Sequence, residues 1–357
     1  MSLHFEKAFI ADIRQETADC ISIAFTIPEN VQKKFQYQHG QYLTLRTYIN
    51  GEEVRRSYSL CSSPLDNEWR IAVKQIPGGV FSSFAASQLQ VGDSIDLMPP
   101  MGKFYTEVKK ANAKQYVGVA AGSGITPVIS IIKTVLATEP RSSFTLVYGN
   151  RDRHSIIFKE ELESLKNKYM DRFRIIHILS REITDAALHS GRIDATKCDT
   201  LFTKLIDIRA DEFFICGPEE MIFCVKDYLE GRGVDKKKIH FELFTASSPK
   251  HSNTVHSAPA DERAKSKITI TLDGRSFDFD LAYKDDSILD AAMKEGADLP
   301  YACRGGVCCT CKAKLIEGKV DMEVNYGLEP DELKAGFILT CQSHPVSERV
   351  VIDFDVK

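Results

Sequence analysis

The 357-residue chain lacks an apolar opening segment: MSLHFEKAFIADIRQ scatters charged side chains among its hydrophobic ones. It carries no signal-peptide core, and a cytoplasmic protein is expected. It also lacks a strong charge bias. A net charge of −4 excludes a strong general affinity for nucleic acid, and 43% apolar with 27% charged residues describe a globular chain rather than a disordered or fibrous one. There is no internal repeat. Only YVGVAAGSGITPVISIIKTVLA (116–137) is apolar over the length of a membrane span. Gly122, Gly124 and Pro127 at its centre and Lys133 beyond divide it into a β-rich half and a helical half, so no membrane partner is expected.

Cysteine, by contrast, is plentiful. Ten in a chain of a reducing compartment point to metal or redox use rather than disulfides. Four fall within CRGGVCCTC (303–311). Cys303, Cys308 and Cys311 are spaced C-x4-C-x2-C, and Cys341 follows alone. Structural zinc usually takes two C-x2-C knuckles, and only one is present. The spacing is that of plant-type [2Fe–2S] sites, where one iron takes the first two thiolates and the other takes the last two. Reduced core cysteines without metal are the remaining alternative. Arg304-Gly305-Gly306 suits a loop that turns backbone N–H groups towards sulfur without bulky side chains. Cys309 is off register and reads as a packing residue.

The length implies two or three domains. TASSPKHSNTVHSAPADERAKS (245–266) has five Ser, two Pro and no aromatic residue, and reads as a flexible linker. Residues 1–110 show short alternating runs such as QYLTLRTYI and WRIAVKQI, which predict an antiparallel β-barrel. In residues 111–244 β-rich runs (YVGVAA, FTLVYG, FRIIHILS, EFFICG) alternate with helical ones (PVISIIKTVLA, SIIFKEELESLKNKY, PEEMIFCVKDYLE). That order predicts an α/β parallel sheet with crossover helices. Residues 267–357 hold 11 basic and 17 acidic side chains, an acidic body beside a near-neutral one.

Within 267–357, SILDAAMKEGADLPYACRGGVCCTC and LTCQ (339–342) resemble the helix, cluster loop and last ligand of plant-type ferredoxin domains, which implies an α+β β-grasp fold with Cys303, Cys308, Cys311 and Cys341 as iron ligands. Upstream, Arg56-Ser57-Tyr58-Ser59 resembles the R-x-Y-[ST] signature of ferredoxin-NADP reductase-like flavoproteins. IAVKQIPGGVFSSFA (71–85) resembles their V-K and G-x-x-S elements. The resemblance implies FAD in the barrel, with Arg56, Gly79 and Ser82 at its pyrophosphate, Val73 and Lys74 alongside, Tyr58 on the isoalloxazine and Ser59 near flavin N5.

Gly122-Ser123-Gly124-Ile125-Thr126-Pro127 departs from the dinucleotide fingerprint G-x-G-x-x-G at its last position. Thr126 and Pro127 suit a helix N-cap and first helical position, and the helix start can receive a diphosphate. GSGITP and Cys216-Gly217-Pro218 resemble the nicotinamide-nucleotide loops of the same reductases, implying a Cys216 thiol beside the nicotinamide. Glu242 and Phe244 are placed near the flavin. Ser180-Arg181 resembles the S-R element of NADP-binding relatives. With Arg151 it supplies cations for a 2′-phosphate, which favours NADPH.

In its order of parts the whole chain resembles the reductase components of multicomponent oxygenases, those of the phenylacetyl-CoA epoxidases in particular, through ACRGGVCCTCKAKLIEGKV and NYGLEPDELKAGFILTCQ. The resemblance implies an oxidoreductase passing electrons from NADPH through FAD and [2Fe–2S] to a di-iron oxygenase. Two alternatives stay open: an NADH-dependent reductase of a Rieske oxygenase or hybrid-cluster protein, and a redox-sensing binding protein.

Overall fold

A two-residue turn, Ala18 and Asp19, folds β1 (Glu6–Thr17) back onto β2 (Cys20–Thr26), with Thr17 opposite Cys20. After the short α1 (Glu29–Gln32), β3 (Tyr42–Ile49) and β4 (Glu52–Ser59) form a second hairpin. Then come β5 (Trp69–Lys74), α2 (Val80–Ser87) and β6 (Ser94–Leu97). The strands are antiparallel in the order β4-β3-β6-β1-β2-β5. The sheet closes on itself: Leu60 bridges Ile71, and Cys61 N–H donates to the Arg70 carbonyl over 2.8 Å. Closure turns the apolar positions of the alternating runs inward, burying Ile23, Leu43, Leu45, Ile71 and Val73, and leaves no open edge there. It also brings the end of β4 beside β5, which the sheet order alone would separate.

This computed structural model describes residues 4–184, 186–244, 265–283 and 285–356. The protein divides into two compact units after Phe244. The parallel layer of the larger unit comprises β7 (Gln115–Ala121), α3 (Ile125–Thr138), β8 (Ser143–Asn150), α4 (Lys159–Lys168), β9 (Phe173–Leu179), α5 (Ala195–Lys204), β10 (Glu212–Cys216), α6 (Glu219–Gly231) and β11 (Ile239–Glu242). Every pairing in its order β11-β10-β7-β8-β9 is parallel. The chain runs outward from β7 to β9, then crosses to β10 on the other side of β7. Such a reversal opens a crevice at the carboxyl ends of the two central strands.

The run 116–137 divides into β7 and α3 as its glycines imply, and no helix among the described residues is long and apolar enough to cross a membrane. Ile125, Val128, Ile129, Ile131, Ile132, Val135 and Leu136 of α3 are buried. Each contributes about 1.5–3 kcal/mol. The helix begins earlier than the sequence implies: its N-cap is Gly124, and Thr126 lies inside the first turn, donating from Oγ1 to the Ser123 carbonyl at 3.0 Å. Pro127 is tolerated because the first-turn N–H groups have no intrahelical acceptor. Nor does SIIFKEELESLKNKY form one helix. Ile156, Ile157 and Phe158 go into the core in non-helical backbone, Phe158 with φ +59°, and α4 starts at Lys159.

Glu139, fully buried after α3, ties the two layers together. It accepts hydrogen bonds from Lys109 N (3.1 Å), Asn112 Nδ2 (2.6 Å), Tyr116 OH (2.9 Å) and Ser142 Oγ (2.7 Å).

The smaller unit contains β12 (Lys265–Leu272), β13 (Arg275–Ala282), α7 (Ile288–Lys294), β14 (Lys312–Glu317), β15 (Val320–Met322), α8 (Pro330–Lys334), β16 (Phe337–Leu339), β17 (Ser343–Pro345) and β18 (Arg349–Asp353). Its mixed sheet runs β13-β12-β18-β14-β16, with β12 and β18 parallel and a separate β15-β17 pair. Ser287 caps α7, accepting from Asp290 N–H at 3.2 Å, and Ile288, Leu289, Ala291 and Ala292 of the helix are buried in the unit's core. This is the α+β architecture expected for residues 267–357. Of the expected linker, residues 245–264 lie outside the described residues, and Lys265 and Ser266 already belong to β12.

Candidate functional site

The carboxyl end of β10 is the meeting point. Cys216 ends β10 and pairs in register with Glu242 at the end of β11. Ser59, at the end of β4, donates from Oγ to Glu242 Oε2 at 3.1 Å, so barrel and parallel sheet touch here. Burial pushes the Glu242 carboxyl up to about 8, against the Ser59 hydrogen bond, and holds the Cys216 thiol well above its ordinary range, with Glu242 adding to the shift. Both are neutral acids at pH 7. The turn Gly122-Ser123-Gly124 closes the same crevice: a Cβ on Gly124 would lie 2.1 Å from the Cys216 carbonyl oxygen, so only glycine admits this approach. Gly217 and Pro218 lead from there into α6.

Along the barrel wall, Arg56 is exposed and its Nη1 donates to the Arg55 carbonyl at 2.7 Å. Tyr58 is half-buried with its ring centroid 5.5 Å from Phe81 of α2, and burial raises its hydroxyl pKa. Val73 is buried; Lys74 is half-buried beside it on β5. Gly79 is the N-cap of α2. Ser82 lies in the first turn of α2. Its hydroxyl accepts from Ile76 N–H at 3.2 Å and donates to the Gly79 carbonyl at 3.5 Å, so it shapes the Pro77-Gly78-Gly79 turn. The N–H groups of the first turn of α2 have no intrahelical acceptor.

The predicted phosphate cations also converge. Ser180 N–H donates to the Asn150 carbonyl (2.9 Å) and Arg181 N–H to the Arg151 carbonyl (2.8 Å), which sets Arg151, Ser180 and Arg181 side by side past the ends of β8 and β9. All three are exposed. Arg151 is paired with Asp19 of the β1–β2 turn. Sequence reasoning missed Asp19 and also Asn150, whose buried Nδ2 has no hydrogen-bond partner among the described residues. Asn150 stands next to Arg151 at a strand end, a position that flags it. Phe244 is exposed just beyond β11.

In the smaller unit the thiols of Cys308 and Cys341 lie beside Cys303, and Cys341 also lies beside Cys311. The four thiols therefore form one group, with Cys308 beside Cys303, Cys303 beside Cys341 and Cys341 beside Cys311. No group of three His, Cys, Asp or Glu among the described residues is placed to hold a metal ion. Four thiolates are the ligand set of a [2Fe–2S] cluster. Thiol donors, together with Gly305 N–H and Cys308 N–H, each 3.4 Å from its sulfur, hold the Cys303 thiol well below its ordinary range. Arg304 (φ +51°) and Gly306 (φ +69°) give the loop its curl, and a Cβ on Gly306 would lie 2.8 Å from the Val324 carbonyl oxygen. Gln342 Nε2 donates to the Arg304 carbonyl at 3.0 Å. Cys309 turns away and donates to the Gly327 carbonyl at 2.7 Å.

Comparison with known proteins assigns each part. Residues 7–105 match the oxidoreductase FAD-binding domain family, residues 119–227 the oxidoreductase NAD-binding domain family, and residues 270–346 the 2Fe-2S iron-sulfur cluster binding domain family. The chain is 44% identical over 354 residues to a subunit of the 1,2-phenylacetyl-CoA epoxidase of Escherichia coli K12, covering 99% of this chain and 98% of that one. It is 34% identical to the ferredoxin reductase component of 3-ketosteroid-9-alpha-monooxygenase from Rhodococcus rhodochrous, covering 97% and 95%. Phthalate dioxygenase reductase, a modular structure for electron transfer from pyridine nucleotides to [2Fe-2S], superposes with a TM-score of 0.59 at 26% identity and 98% coverage of both chains. With all three modules present in the same order, the chain belongs to the family of flavin and iron–sulfur reductase components of multicomponent oxygenases, oxidoreductases that carry electrons from a pyridine nucleotide through FAD to a [2Fe–2S] cluster.

Proposed function

We propose that this reductase takes its electrons from NADPH and delivers them to the di-iron oxygenase component of a phenylacetyl-CoA epoxidase. The observation that carries the reading is 44% identity along essentially the whole length of the epoxidase subunit, ten points above the ketosteroid monooxygenase reductase. Bound flavin supplies the conversion from a two-electron donor to a one-electron acceptor.

The protein's own part is positional. Arg56, Tyr58, Val73, Lys74 and the start of α2 at Gly79 hold the flavin, and Ser82 shapes that loop. Gly122, Gly124 and Thr126 with Gly217 and Pro218 frame the nucleotide crevice, and Arg151, Ser180 and Arg181 face its 2′-phosphate. Ser59 holds a proton at its hydroxyl, backed by neutral Glu242, and the neutral Cys216 thiol packs the crevice without bringing a negative charge to it. Cys303, Cys308, Cys311 and Cys341 hold the cluster. A cysteine-rich chain with four cysteines as cluster ligands fits a reducing compartment, the cytoplasm.

The test mixes the purified protein with a purified phenylacetyl-CoA epoxidase oxygenase and follows phenylacetyl-CoA-dependent NADPH oxidation, with the epoxide assayed by mass. Epoxide formed in proportion to NADPH consumed supports the assignment. Reduction of ferricyanide without epoxide leaves a reductase of another oxygenase.

A further inference from the structure

The β1–β2 turn reaches across to the nucleotide sheet. Asp19 Oδ2 lies 2.9 Å from Arg151 Nη2, a contact spanning 132 residues of sequence, and 3.6 Å from Lys74 Nζ. The carboxylate is held in place: Thr17 Oγ1 donates to Oδ1 at 2.9 Å, and the Asp19 carbonyl accepts from Gln75 N–H at 2.7 Å. The pairing of Cys20 with Lys74 fixes the lysine alongside. One acid of the barrel thus sits between a cation of the flavin wall and a cation of the nucleotide edge.

We infer that Asp19 is a specificity-determining residue that competes with the 2′-phosphate of NADPH for Arg151. Arg151 lies beside Ser180 and Arg181, where the adenosine end of the nucleotide is placed, so the inference rests on the NADPH reading above. An arginine fork engaged by a carboxylate must release it to grip a phosphate, and a phosphate entering beside Asp19 meets a like charge. NADH has no 2′-phosphate and meets neither effect. Arg151 and Asp19 side chains are 47% and 35% exposed, so the competition is moderate and weakens with salt.

Turn geometry alone also favours Asp at this position, and it accepts Asn equally. Asp19→Asn therefore removes the charge while keeping the turn. The experiment measures KM for NADPH and NADH in flavin-loaded protein with ferricyanide as acceptor, and inhibition by adenosine 2′,5′-bisphosphate and 5′-AMP. Asp19→Asn is expected to lower the NADPH-to-NADH ratio of KM about three- to fivefold, and to tighten the bisphosphate but not 5′-AMP. The shift is expected to vanish in an Arg151→Gln background.

If Arg151→Gln leaves the ratio unchanged, the arginine's role in nucleotide choice is wrong. If Arg151→Gln moves the ratio but Asp19→Asn does not, or if the Asp19→Asn effect persists without the arginine, the competition is overturned. Asp19→Gly serves should the asparagine variant lose flavin. Loss of flavin from both would make Asp19 a folding residue and overturn the proposal.

Discussion

Ser59 and Glu242, 183 residues apart, share a 3.1 Å hydrogen bond that joins the flavin barrel to the last strand of the nucleotide sheet. The carboxyl it engages retains its proton near neutrality because burial disfavours the charged form.

Stability should therefore fall with pH. Glu242 titrates near 8 in the folded chain against an ordinary 4.5. Its contribution is complete below about pH 4.5 and is lost as pH rises through about 8, since the unfolded chain releases the proton first. Thermal unfolding of Glu242→Gln between pH 5 and 9 is expected to show a flatter profile than the wild type. An unchanged slope would remove this group from the account.

Removing the Ser59 hydroxyl should slow flavin reduction without loss of fold. Ser59→Ala is expected to reduce the NADPH–ferricyanide rate by about 10²-fold, the scale of one positioned proton-holding group. Stopped-flow bleaching of the flavin absorbance checks it.

The thiol quartet separates two activities. Cys308→Ser or Cys341→Ser should abolish the iron–sulfur visible and EPR signals and the reduction of cytochrome c, while ferricyanide reduction at the flavin persists. Cys309→Ser, whose sulfur points to the Gly327 carbonyl, should keep all of them.

Gly124 leaves no room for a side chain. In Gly124→Ala the added carbon, 2.1 Å from the Cys216 carbonyl oxygen, forces the ends of β7 and β10 apart. KM for the nucleotide should rise at least tenfold, about 1.4 kcal/mol or more of lost binding, measured with flavin content held equal.

Glu139 is the stability test. Glu139→Ala strands the buried hydroxyls of Tyr116 and Ser142 and frees the Asn112 amide and Lys109 N–H at the rim, a loss of about 2–4 kcal/mol in urea unfolding of the larger unit.

The legible parts of this protein were those encoded in short spacings. C-x4-C-x2-C is readable because two irons at a fixed separation demand ligands at fixed intervals, and the β/α alternation of 111–244 is readable because strand and helix impose different apolar periods. The start of α3 was misplaced at Thr126 since a glycine turn, with no side chain to announce it, caps the helix instead. The helix read from Ser155 was shortened because Ile156, Ile157 and Phe158 satisfy the core better in irregular backbone than a helix face would allow.

By itself the sequence determined the three modules, their order and the cysteines able to hold a cluster, which follow from local pattern, while the flavin and nucleotide cofactors followed from family resemblance. Only the tertiary structure decided that Ser59 meets Glu242, that Asp19 meets Arg151, and that Glu139 is a buried hub. A lone Asp or Glu in a sequence reads as a solvated surface group, and its partners and its proton affinity arise only when barrel closure and sheet packing remove the water around it.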